Sequence, residues 1–168
     1  MKKTSKRVFN IEKDLAYLEM RCYENLIENN LDHEIIDDFY KTYVYKDIFS
    51  KIPDLTDSYL YTHCIFYITY LNKIKLDNYI SKKIIKKLED YTRILLGAVI
   101  AEDNCDLIAE LLICLKLMSK EDESINDELV DLGQNRLIEY VKMFKNSSVE
   151  EIELYHTFLA INIFSKVC

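Results

Sequence analysis

Glycine and proline are scarce in this 168-residue chain, with two of the first and one of the second, and tryptophan is absent. Each scarcity excludes something. An all-β protein needs Gly and Pro for its many tight turns, and this chain cannot supply them. Gly97 and Gly133 stand far apart, so neither GxGxxG nor GxxxxGK[ST] occurs and a glycine-rich phosphate loop is excluded. No run of ~20 apolar residues is present, so no membrane span is expected. The basic start runs into Phe9-Asn10-Ile11-Glu12 rather than an apolar core with a small-residue cleavage site, so no signal peptide is expected.

Cysteine is present but carries no pairing pattern. Cys22, Cys64, Cys105, Cys114 and Cys168 are odd in number and form no CxxC. Cys22, Cys64 and Cys114 lie within apolar helical runs and read as reduced core residues of a cytoplasmic protein. Positive charge is in deficit: 22 Lys and Arg face 29 Asp and Glu, for a formal charge of −7. Such a surface repels nucleic acid, so nucleic acid is not an expected partner, and without an apolar span neither is a membrane. The basic residues cluster at Lys2, Lys3, Lys6 and Arg7, and again at Lys82, Lys83, Lys86 and Lys87. They read as a flexible tail over residues 1–9 and a solvated helix face.

What is present is apolar helical spacing. It predicts seven helices, near 11–28, 34–50, 57–72, 77–100, 104–119, 124–145 and 149–166. Asp57, Asn104 or Asp106, Ser124 and Ser148 supply caps for four of them. The third, fifth and seventh are apolar nearly all round, which marks helices buried on all sides. The fourth and sixth are amphipathic.

Aligned on itself, the chain superposes 60–71, 107–118 and 153–164, which makes His63, Glu110 and His156 equivalent. The outer stretches 86–95 and 134–144 match separately, and 14–26 is a fainter copy of the inner helix. A period of about 46 residues holding two helices is the pattern of stacked αα-hairpins. The fold expected is all-α: a single helical-repeat domain over 1–168, an α-solenoid or partial α/α toroid.

His63, Glu110 and His156 are the sharpest candidate site, because equivalent positions on neighbouring inner helices form a row about 10 Å apart. A charge in an apolar helix needs compensation. One reading is a structural network with Tyr61, Thr62, Tyr155 and Thr157; a second is a pocket that binds a ligand or peptide. A third is a metal or acid–base site, since two His and a carboxylate form a ligand set for zinc or iron. No HExxH supports that third reading, and neither metal nor cofactor is expected. His63 and Cys64 are adjacent and so point about 100° apart on a helix, which excludes a dyad. His33 reads as a surface or capping residue. The thirteen tyrosines read as large core residues of a Trp-free protein, or as the lining of a groove for a partner.

Thr62-His63, Phe66-Tyr67 and Thr69, then Asp106-Leu107 with Ala109-Glu110-Leu111-Leu112, then Tyr155-His156-Thr157 resemble an uncharacterised bacterial all-helical family. Its members carry THxxFYxT, DLxAELL and YHT strings on successive helices. The resemblance spans 56–166 and implies a helical fold with marked positions, but no reaction. Where the family continues with Asp-Phe-Gly, this chain has Tyr70-Leu71-Asn72. Family members are also longer, which implies that this chain needs a partner or second subunit to complete an enclosed ring.

The function expected is a binding or accessory protein that holds a peptide or protein partner on its inner helices. The alternatives are an enzyme or metalloprotein centred on the His/Glu/His cluster, and a Bcl-2-like regulatory adaptor; the regular repeat and the absence of an NWGR-like string count against the last. The seventh helix stays apolar through Phe164 with no polar outer helix after it. It is therefore expected to pair with a second copy, with another chain, or with the N-terminal helices.

Overall fold

The structure, a computed structural model, describes residues 11–50, 55, 58–119 and 128–144. Among these residues there are seven α-helices and no strand: α1 (Ile11–Glu28), α2 (Glu34–Lys41), α3 (Tyr43–Ser50), α4 (Ser58–Ile68), α5 (Lys82–Glu102), α6 (Cys105–Met118) and α7 (Glu128–Phe144). A short 3-10 turn, Leu76–Asn78, precedes α5. The expected tail over 1–9, the caps at Asp57, Ser124 and Ser148, and the helix over 149–166 lie outside the described residues.

The expected helix over 34–50 is two helices. Thr42 is extended, with φ −67 and ψ 157. Its hydroxyl donates to Phe39 O at 2.7 Å and accepts from the Tyr45 N–H at 3.2 Å. One side chain thus serves the end of α2 and the start of α3, which is why apolar periodicity alone misses the break. The expected helix over 77–100 likewise begins later, after an extended Ser81.

Core position follows the apolar pattern. α6 is buried nearly all round, with Leu111, Leu112 and Cys114 in its interior. It packs against α4, α5 and α7, while α1 packs against α4 and α2. The α5–α6 hairpin turns through only Asp103 and Asn104. Asp103 is left-handed at φ 61, and the Asn104 N–H closes back on Val99 O at 3.2 Å. The Asn104 side chain then accepts from the Leu107 N–H, so the cap expected at Asn104 or Asp106 is Asn104.

The turn after α4 is the sharpest backbone feature. Tyr70, Leu71 and Asn72 are all left-handed, at φ 47, 52 and 76. Tyr70 is fully buried; its hydroxyl donates to Asp32 O at 2.8 Å and accepts from Asn25 Nδ2 at 2.6 Å. It ties the end of α4 to the end of α1. Beside it, Arg21 on α1 reaches Glu34 at 2.7 Å, Asp38 at 3.5 Å and Asp32 at 3.6 Å, which joins α1 to α2.

Candidate functional site at the α4–α6 contact

Successive residues of α4 point about 100° apart, and this sorts the expected site residues. Tyr61 turns into the α4–α5 contact. It is fully buried, its ring lies 5.0 Å from that of Tyr91, and its hydroxyl sits 2.9 Å from Leu88 O and 2.6 Å from Thr92 Oγ1. Tyr61 is therefore a core residue and not a neighbour of Glu110 on the site side. Thr62 turns toward α6, and His63 toward the rim.

Glu110 is the centre of the arrangement. Its Oε2 lies 2.5 Å from Thr62 Oγ1, and its Oε1 lies 3.8 Å from His63 Nε2. The second distance is too long for a hydrogen bond but suits an ion pair whenever His63 is protonated. Glu110 is 12% exposed and His63 38%, so the carboxyl lies beneath the imidazole. The His63 ring packs against Tyr67 at 6.0 Å and Phe66 at 5.9 Å.

Burial pushes the Glu110 carboxyl up to about 7; the Thr62 hydrogen bond pulls the other way, and the Asp106 charge adds to the rise. Near neutral pH the group therefore carries or releases a proton with little driving force. Thr62 has one hydroxyl hydrogen and two acceptors in reach, Glu110 and Tyr59 O at 3.0 Å. With Glu110 ionised, Thr62 donates to it. With Glu110 protonated, the carboxyl donates to Thr62, and Thr62 donates to Tyr59 O.

Asp106 and Tyr59 belong to the same surface. Tyr59 donates to Asp106 Oδ2 at 3.2 Å. Asp106 stands one turn before Glu110, on the same face of α6. The sequence places Asp106 among the residues that start a helix, which hides its second role; its i, i+4 spacing to Glu110 is the signal that reveals it. Tyr155, His156 and Thr157 lie outside the described residues. His63 and Glu110 therefore supply two of the three expected metal ligands, and among the described residues no group of three or more His, Cys, Asp or Glu is placed to hold a metal ion.

The described cysteines do not add a nucleophile. Cys22, Cys64, Cys105 and Cys114 are buried thiols that form no disulfide with one another. Burial, joined by the charges of Glu19 and Asp103 respectively, pushes the Cys22 and Cys105 thiols up to about 11, and burial with the Glu110 charge raises Cys114 well above its ordinary value. His33 stands at the N-cap of α2 without a capping side-chain bond and stacks on Tyr79 at 5.9 Å. No helix among the described residues is long and apolar enough to cross a membrane.

A family model described as a domain of unknown function (DUF6895) matches residues 12–134. That span contains α2 to α6, nearly all of α1, and the site residues Thr62, His63 and Glu110. No curated protein and no solved structure matches the chain.

Proposed function

The chain belongs to the family of that domain of unknown function, DUF6895, and from this premise we propose that it is a helical-repeat binding or accessory protein that holds a peptide or protein partner against α4 and α6. In this reading the helices stack as αα-hairpins, and Glu110 and its neighbours form the polar part of the face that meets the partner. One observation carries the reading. A carboxyl that is buried, bonded to Thr62 and capped by a half-exposed His63 lies at the contact of the two helices whose sequences align as repeats. Buried polar groups are costly, and a partner's hydrogen-bonding group above His63 would gain a carboxyl that can donate or accept. The aromatic rings of Tyr59, Phe66 and Tyr67 supply the apolar surround that such a contact needs.

The test is co-purification of the tagged full chain from its own cells, compared with Glu110→Gln and His63→Gln at matched folded fraction. The expected result is a stoichiometric peptide or protein partner with the parent, whose recovery falls at least about tenfold with either variant, the size of a lost central contact. Undiminished recovery with both variants, or no partner above an untagged control, overturns the reading. Elemental analysis of the same preparation adjudicates the metalloprotein alternative: a stoichiometric metal lost in both variants would replace the proposal with that one.

A further inference from the structure

α1 carries two apolar seams, and among the described residues the second is largely uncovered. Leu15, Leu18, Cys22 and Leu26 face the core, with Leu18 and Cys22 fully buried. Further round the helix Ala16, Met20, Tyr23 and Ile27 are exposed, and at its inner edge the Tyr23 ring meets that of Tyr67 on α4 edge-on at 6.2 Å. Their spacing is four, three and four residues, the seam that one helix presents to another in knobs-into-holes packing. The exposure is large for apolar groups: 50% at Met20, 46% at Tyr23 and 85% at Ile27. Single exposed apolar residues are ordinary, but three large ones in register along one helix are a patch.

The charges beside the seam say what fits it. Glu19, which bonds the Tyr67 side chain, flanks one side, and the exposed Glu24 and Glu28 flank the other. Arg21 does not balance them, because it is held by Glu34, Asp38 and Asp32. From Met20 to Ile27 the seam is therefore apolar with acidic borders. A second α1 laid against it would set carboxylates against carboxylates, which costs rather than gains. A helix with Lys or Arg beside its apolar stripe meets the same borders with opposite charge. We propose that the exposed face of α1 is a docking surface for an amphipathic helix of a partner whose apolar stripe is flanked by lysine or arginine.

This surface lies on a different helix from Glu110, so the proposal stands apart from the site reading above. The probe is a labelled 18-residue model helix of Leu and Lys, about five turns long, and its counterpart of Leu and Glu. Each is titrated into the full chain by fluorescence anisotropy, alongside sedimentation velocity of the chain alone. Met20→Ser and Ile27→Ser remove apolar surface that already faces solvent and keep the charge; Leu132→Ser on α7, also exposed, is the control. Binding of the Leu/Lys helix that weakens at least about tenfold in both seam variants, and not in the control, supports the proposal. Equal binding of the Leu/Glu helix, or unchanged binding in both seam variants, overturns it. So does a dimer of the parent that Ile27→Ser dissociates, because the face would then belong to a second copy.

Discussion

At Glu110 the electrostatics of the site become a measurable stability. Its carboxyl sits at about 7 in the folded chain, against an ordinary value of 4.5, with burial as the main cause. Below both values the group is protonated folded or unfolded, and it costs nothing. As pH rises from about 4.5 to about 7 the unfolded chain gives up its proton first, so stability falls over that window and then levels off. The charged form is unfavourable by roughly 3–4 kcal/mol, since a tenfold change in proton affinity is worth ~1.4 kcal/mol. Glu110→Gln keeps the shape and a bond to Thr62 without the charge. It is expected to be more stable than the parent at pH 8 by about that amount, and to remove this part of the pH slope. Thermal melts from pH 4 to pH 8 check this, and parallel profiles for the two proteins would contradict it. Thr62 and His63 were legible as partners of Glu110 because the repeat register pairs their helices. Adjacency alone groups Tyr61 with them, and the ~100° turn between neighbours sends it into the core instead.

At the scale of elements, the shortage of glycine leaves left-handed backbone to other residues. Where a helix ends, this chain uses Asn29, Tyr70 and Asp103 in positions that glycine would occupy without strain. The turn after α4 asks for three such residues in succession, and Leu71 is half exposed, so little packing offsets its strain. Asn72 has the largest positive φ of the three, 76. Asn72→Gly is expected to stabilise the chain by about 0.5–1 kcal/mol, and Leu71→Val to destabilise it by about 1–2, since a β-branched side chain fits a left-handed backbone poorly. Denaturant melts of the pair decide, and an ordering opposite to this would refute the strain argument. The chain's two glycines are inside helices, where they cost stability. A methyl on Gly133 would meet Ile108, Leu112 and Ile100 at 3.5–3.6 Å, which is ordinary contact. Gly133→Ala on α7 is therefore expected to gain about 1 kcal/mol of helix propensity, read as a higher melting temperature. Most of the helices were legible from apolar periodicity because burial and pattern agree there. The break at Thr42 and the left-handed turn were not, because a hydroxyl that bonds both ways and a backbone strained by packing leave no mark in the pattern.

For the molecule as a whole, these contacts set an order of local stability. α6 has neighbours on three sides in α4, α5 and α7, and its residues from Leu107 to Leu115 are buried at nearly every position. α5 is long and lays Leu88, Leu95, Leu96 and Val99 on that core. α2 and α3 are eight residues each, joined at a single threonine, and α2 buries only Ile35, Ile36 and Phe39. A helix that short has little stability of its own, and its protection comes from packing. Opening should therefore begin at α2 and α3 and reach α6 last. Two ties modify that order. The Arg21 bridges hold the start of α2 to α1, and Tyr70 holds the end of α1 to the turn after α4. Cutting the second with Tyr70→Phe removes the hydroxyl that serves Asn25 and the Asp32 carbonyl. The end of α1 and the start of α2 are then expected to exchange faster together, by about tenfold for each ~1.4 kcal/mol lost, while α6 keeps its protection. Hydrogen exchange followed by mass spectrometry on the parent and this variant measures both statements. If α6 exchanged as early as α2, or if Tyr70→Phe loosened every helix equally, the chain would open as one unit and the Tyr70 tie would have no local role.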